Sequence, residues 1–159
     1  METTIEEHAD NLLNKYLEIG KKYIRNGNEH GAMFIFIPEE ENEERFLVAF
    51  VYKDNEEKHK MLTELKTRLN SEQGKSRIKE YIFLSEGWGV KVKNKEDIPS
   101  LIGKIAKQPD RMEYLMLLYA HKNGYTKSKG VQIFREGDKV VFVEMINSDQ
   151  SESIFFLYD

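Results

Sequence analysis

The chain has 159 residues, a formal net charge of −4 and no cysteine. A chain of this length with 40% hydrophobic residues has enough apolar material for one sizeable core, so we expect a single domain over residues 1–159 and exclude a disordered chain. The absence of cysteine excludes disulfides, thiolate nucleophiles and cysteine-ligated metal sites, and the net acidity argues against a surface built throughout to hold nucleic acid.

The first part of the chain predicts two helices that flank two strands. Thr4 and Glu7 form a capping box, and apolar residues then recur at helical spacing. Asp54 and Glu57 are placed to cap the second helix in the same way. The expected elements are a helix over 4–25, strands over 32–37 and 46–52, and a helix from Asp54 to about 71–74.

The rest of the chain predicts mostly strands. Two glycines flank Trp88 within Ser85–Gly89, which indicates a bulge or a close backbone approach in the third strand. Gly137-Asp138 fits a two-residue hairpin turn, and residues 123–129 a longer polar loop. The expected elements are a strand over 81–84 that resumes at 90–92, a short irregular helix near 98–107 behind Asp97, and strands over 112–121, 131–135, 139–146 and 153–158.

This order of elements predicts an α+β fold. Consecutive strands joined by short turns are antiparallel, so the C-terminal half should be a meander within a largely antiparallel sheet. We expect the two main helices to pack on one face of this sheet over one hydrophobic interior, with the short helix near 98–107 as a third.

The sequence gives no sign of export or of a membrane span. The first residues are acidic and polar, and no apolar stretch approaches the ~20 residues that cross a bilayer. We therefore expect a cytoplasmic protein that does not bind membranes.

Two short charged segments are the candidates for a reaction site. Glu86 and Trp88 could line a pocket, although a Trp at this position more commonly fills the core. Asp110, Arg111 and Glu113 follow a proline just before a strand, where they could face the same pocket or form ordinary surface ion pairs. In an enzyme, these carboxylates and His121 would handle protons or a magnesium ion.

A basic segment offers a different possibility. Lys122, Lys127 and Lys129, with Tyr125 between them, could track a phosphate backbone and stack a base. A solvated hairpin tip accounts for the same pattern, and the overall acidity favours that interpretation. The four histidines lack the spacing of metal ligands, so we predict no metal site and no cofactor.

The order of Ser85-Glu86-Gly87-Trp88, Pro109-Asp110-Arg111-Met112-Glu113 and Phe134-Arg135-Glu136-Gly137 resembles a group of uncharacterised proteins from bacterial, archaeal and phage genomes. That group has a Ser-Glu-x-Trp element, a Pro-x-Arg-x-Glu element and a late arginine, and the similarity spans about residues 80–146. Gly87 departs from the group, where alanine is more common. The resemblance implies a shared fold and an origin in mobile elements, and it implies no particular reaction.

The leading functional hypothesis from the sequence is a non-enzymatic binding or accessory module that uses a sheet face or edge. Its partner would be another protein or a second copy, because the apolar terminal segment Ile154-Phe155-Phe156-Leu157 could form an open edge strand. The alternatives are a small-molecule or phosphoester enzyme with a carboxylate and arginine cluster, and a nucleic-acid-binding protein that uses residues 122–129.

Overall fold

The computed structural model describes residues 3–27, 31–101, 104–149 and 155–158. Its helices are α1 (Ile5–Arg25), α2 (Asn55–Asn70), α3 (Glu72–Arg77) and α4 (Ile98–Leu101). Its strands are β1 (Met33–Pro38), β2 (Phe46–Ala49), β3 (Ile78–Gly89), β4 (Met112–His121), β5 (Thr126–Glu136) and β6 (Lys139–Asp149). None of the helices in these ranges has the length and apolar character that crossing a membrane requires.

All six strands form one antiparallel sheet in the order β2-β1-β3-β4-β5-β6. The predicted α+β class and the C-terminal meander of β4, β5 and β6 are therefore confirmed. Gly137 adopts a φ of 58° between β5 and β6, as a two-residue turn followed by Asp138 requires. Near 98–107 the described residues form two short helical elements, Ile98–Leu101 and Ile105–Lys107, in agreement with the irregular helix expected there.

Helix α1 covers one face of the sheet. It begins where the Thr4 hydroxyl accepts a hydrogen bond of 3.1 Å from the backbone N–H of Glu7. Its apolar stripe packs against the strand residues that point toward it. The buried core on this face consists of Ala9, Leu12, Leu13, Leu17 and Ile24 of α1 and Ile35, Ile37, Ile82, Leu84, Leu115, Leu117, Tyr119, Val131 and Ile133 of the strands.

Helix α2 covers the opposite face, so the prediction that both helices share one face and one interior is wrong. Leu62 and Leu69 pack against a separate core on that side. The reason lies in β3, where residues 81–84 are apolar without alternation and successive side chains point to opposite faces. Both faces therefore have to be buried, and the core forms two layers with the sheet between them.

Strand β3 runs without interruption through Ser85–Gly89. These residues pair with Met116 to Met112 of β4 in unbroken register, so the bulge expected there is wrong. The close backbone approach is present instead, since a Cβ atom on Gly89 would lie 2.5 Å from the Tyr114 ring.

The terminal residues 155–158 are not a strand, in contrast to the prediction for 153–158; residues 153 and 154 lie outside the described ranges. This segment packs into the α2-side core, where Leu157 is buried. Side chains bind its backbone. The Tyr81 hydroxyl donates to the Phe155 carbonyl at 2.8 Å and accepts from the Leu157 N–H, and the Asn70 amide donates to the Leu157 carbonyl at 2.8 Å.

The buried carboxyl group of Glu80 links α1 to the sheet through a hydrogen bond from His8. Glu80 is only 2% exposed, and His8 Nε2 of α1 donates to its two oxygens at 2.8 and 3.0 Å. The Tyr119 hydroxyl also donates to Glu80. Burial, followed by the hydrogen bond to Glu80, raises the pKa of Tyr119 above its usual range, so this hydroxyl keeps its proton.

We expect His8→Ala to lower the free energy of unfolding by about 1–3 kcal/mol, because it leaves the buried Glu80 with one partner fewer. In a Glu80→Gln background the same change should cost clearly less, since no charge is then left behind. Urea denaturation of the four proteins of this cycle measures the coupling. Equal costs of His8→Ala in both backgrounds would contradict the anchoring role of Glu80.

We expect Tyr81→Phe to destabilise the protein by about 1–3 kcal/mol, because it leaves the Phe155 carbonyl and the Leu157 N–H without this partner. Hydrogen exchange of the 155–158 amides should accelerate more than that of β4. Tyr52→Phe is the control, since the described residues offer the hydroxyl of Tyr52 no hydrogen bond and its side chain is partly exposed. Similar losses in both variants would argue against a specific anchor.

Candidate functional site

Five charged or aromatic residues gather at one end of the sheet, on the α1 face. Glu86 and Trp88 share this face with Ile82 and Leu84, because side chains alternate along β3. Trp88 is paired with Glu113 of β4 in the strand register. We name this group the Trp88 cluster; it consists of Glu86, Trp88, Arg111, Glu113 and Arg135.

Two direct contacts join four members of the Trp88 cluster in two pairs. The Arg111 guanidinium lies 4.8 Å from the centroid of the Trp88 ring, in a cation–π arrangement. The Arg135 Nε donates to the two oxygens of Glu113 at 3.1 and 3.2 Å. Glu86, Arg111 and Glu113, which the sequence nominated as catalytic candidates, therefore lie on the same face as Trp88.

Trp88 is 46% exposed, so the expectation that it fills the core is wrong. Among the described residues, the apolar contacts of β3 and β4 with the α1 layer extend only to Leu84 and Leu115. Trp88 lies beyond them, at a part of the sheet that α1 does not reach. Its ring is available for contact with another molecule.

Two of the nominated catalytic residues, Asp110 and His121, lie outside the Trp88 cluster. Asp110 is exposed in the turn that leads into β4 and forms no ion pair with any described residue. His121 is at the opposite end of β4, about 26 Å from Glu113 at ~3.3 Å per strand residue. It is paired there with Glu80, and burial lowers its pKa below the usual value.

The predicted basic loop over 122–129 is also wrong, because β5 begins at Thr126. Lys127 and Lys129 are 4% and 7% exposed and turn toward α1. Lys127 Nζ lies 2.9 Å from Asp10 Oδ1, and Lys129 donates to the Asn14 side chain. Lys122 pairs with Glu39, and the Tyr125 ring packs edge-on against Tyr119 at 6.1 Å. Lys127 and Lys129 therefore hold α1 in place and do not present their charge to solvent.

A second exposed region lies on the α2 face of the last hairpin. We name it the β5–β6 patch; it consists of Phe134, Val141 and Val143, which are 43%, 51% and 43% exposed. Phe134 and Val141 are paired across the hairpin, while Val140 and Phe142 point the other way and pack against the α1 layer. Since α2 lies over the first strands of the sheet, its layer leaves this patch uncovered.

Sequence reasoning missed Glu80 and gave Arg135 no role of its own. Glu80 directly precedes an apolar run, and a lone carboxylate in that position is a usable signal for a buried anchor. Arg135 was singled out only as the late arginine of the resemblance to the uncharacterised group. Its pairing with Glu113 depends on the β4–β5 register, which the sequence does not specify.

Neither the described side chains nor comparison with other proteins names a reaction. Among the described residues, no group of three His, Asp or Glu side chains is arranged to hold a metal ion. No family model, curated protein or solved structure matches this chain. The resemblance to the group with Ser-Glu-x-Trp elements therefore stays a prediction.

We expect Trp88→Ala to lower the free energy of unfolding by about 1–2 kcal/mol, because it removes an exposed cation–π pair and the contacts of a ring that is only half-buried. The matched control is Phe83→Ala on the same strand, whose side chain is buried in the α2-side core and should cost about 3–5 kcal/mol. Thermal and urea unfolding compare the two. A large loss in Trp88→Ala would show that Trp88 has a structural role.

Proposed function

We propose that this protein is a non-enzymatic binding module that associates with a second copy of itself through strand β6. The main support for this proposal is the exposure of the β5–β6 patch beside a long edge strand. Exposed apolar surface of this kind is characteristic of protein-contact sites. An unpaired strand edge supplies backbone donors and acceptors for a further strand.

The two edges of the described sheet differ in how well they suit pairing. Strand β2 has 4 residues, and a short edge strand discourages addition of another chain. Strand β6 has 11 residues, and its register with β5 shifts between Gly130 and Val131. Such an irregularity limits edge pairing, so the favoured segment is the regular part from Lys139 to Glu144.

Two copies can meet along this segment by a two-fold rotation about an axis normal to the sheet. The strands are then antiparallel, and the α1 faces of the two copies lie on the same side. A register centred on Phe142 places Val141 of one copy opposite Val143 of the other. The apolar patches of the two copies become continuous across the new strand pair.

The Trp88 cluster favours a contact surface over a reaction site. Trp88 and the two arginines are exposed on an open sheet face, whereas an active site gains from enclosure and exclusion of water. Trp and Arg are also the residues that most commonly dominate the binding energy of protein interfaces. The cluster is therefore suited to contact a further protein.

We expect the wild-type protein to form dimers at micromolar concentration and Val141→Lys/Val143→Lys to weaken the association by at least about tenfold, since like charges would face each other across the new pair. Sedimentation equilibrium over a range of concentrations measures this. The matched control is Leu47→Lys/Val51→Lys, which makes the same charge change at exposed positions near the β2 edge.

A strictly monomeric wild-type protein would refute this proposal, and dissociation by the control pair instead would assign the interface to the other edge. The absence of cysteine permits a direct test of the register. When Val141→Cys and Val143→Cys proteins are mixed under oxidising conditions, the mixed disulfide should form faster than either symmetric one. A preference for symmetric disulfides would contradict the register centred on Phe142.

A further inference from the structure

A groove of about 520 Å³ lies between the β1–β2 hairpin and the end of α2 with α3. Its volume is within the range of small-molecule sites, roughly 300–1,000 Å³. The groove is far in the sheet order from β6 and is separate from the surface proposed for self-association. The side chains that give it an apolar floor are Phe36, Phe46, Val48, Leu65, Leu69 and Ile78.

The charged residues that line this groove are both basic. Arg68 in the last turn of α2 and Arg77 at the end of α3 both line it. None of the lining residues is acidic, although the chain has 28 acidic and 24 basic residues. Neither arginine forms an ion pair with any residue in the described ranges. The two guanidinium groups can therefore bind an anion from solution without breaking an internal pair.

The remaining polar groups at the groove are already in use or uncharged. The Ser71 hydroxyl donates to the Arg68 carbonyl at 2.7 Å and accepts from the Gly74 N–H at 3.1 Å. Gly74 lies so close to α2 that a Cβ atom would be 2.1 Å from the Arg68 carbonyl oxygen. This tight α2–α3 junction brings both arginine-bearing segments to the same groove.

We propose that the groove binds an acyl carboxylate, a molecule with an unbranched hydrocarbon tail and one anionic head. The tail would lie on the apolar floor, with Phe46 and Val48 beneath it, and the head would accept hydrogen bonds from Arg68 and Arg77. A guanidinium group presents paired donors that match the two oxygens of a carboxylate, which makes arginine a fitting partner for such a head.

Decanoate is the probe for this site, and titration calorimetry together with amide chemical shifts follows its binding. Acetate tests the head without the tail, and decyltrimethylammonium tests the same tail with the opposite charge. We expect decanoate to bind at least about tenfold more tightly than either, with shifts centred on α2, α3 and the β1–β2 hairpin. Equal binding of decyltrimethylammonium, equal binding of acetate, or shifts confined to other regions would overturn the proposal.

Arg68→Gln/Arg77→Gln should weaken decanoate binding by about tenfold or more, since the carboxylate then loses its charge-assisted hydrogen bonds. Lys66→Gln/Lys75→Gln is the control, because it removes the same charge from the same two helices outside the groove. All four positions are exposed, so both variants should keep the wild-type circular dichroism spectrum and melting temperature. Equal effects of the two pairs, or no effect of the arginine pair, would refute the site.

Discussion

The structure depends on the burial of β3 on both of its faces. Tyr81, Ile82, Phe83 and Leu84 are consecutive and apolar, and the sheet sends them alternately to its two sides. A single helical layer would leave half of these side chains in water. The chain meets the requirement with α1 on one face, and with α2 and residues 155–158 on the other.

The two covering layers are shorter than the sheet, and this mismatch creates the surfaces to which we assign function. On the α1 face the cover ends before Trp88, and on the opposite face it leaves the last hairpin exposed. At the far corner, the junction of α2 and α3 leaves a groove beside β2. The surfaces proposed for binding thus lie where layers end, while the interior on each face of the sheet consists mainly of apolar side chains.

Local features of the fold could be predicted from the sequence, and features that depend on distant partners could not. The helix caps at Thr4 and Asp54 and the turn at Gly137 depend on neighbouring residues, and all three are observed. Lys127 and Lys129, in contrast, are turned toward α1 and away from solvent. This orientation depends on their contacts with Asp10 and Asn14 of α1, more than a hundred residues away. Similarly, Arg111 and Trp88 were nominated together, but the exposure of Trp88 depends on where α1 stops.

The adjacent anchors Glu80 and Tyr81 have a consequence for the order of folding. Glu80 binds His8, 72 positions away along the chain, and Tyr81 binds Phe155, 74 positions away. From β3 to β6, in contrast, each strand pairs with the next strand along the chain, and the β4–β5 and β5–β6 hairpins have turns of only four and two residues. Because closing long loops is entropically costly before other contacts exist, we expect these hairpins to assemble early. The two outer layers would then dock late. Each would bind a polar side chain, Glu80 or Tyr81, that already points to the matching face of the partly formed sheet.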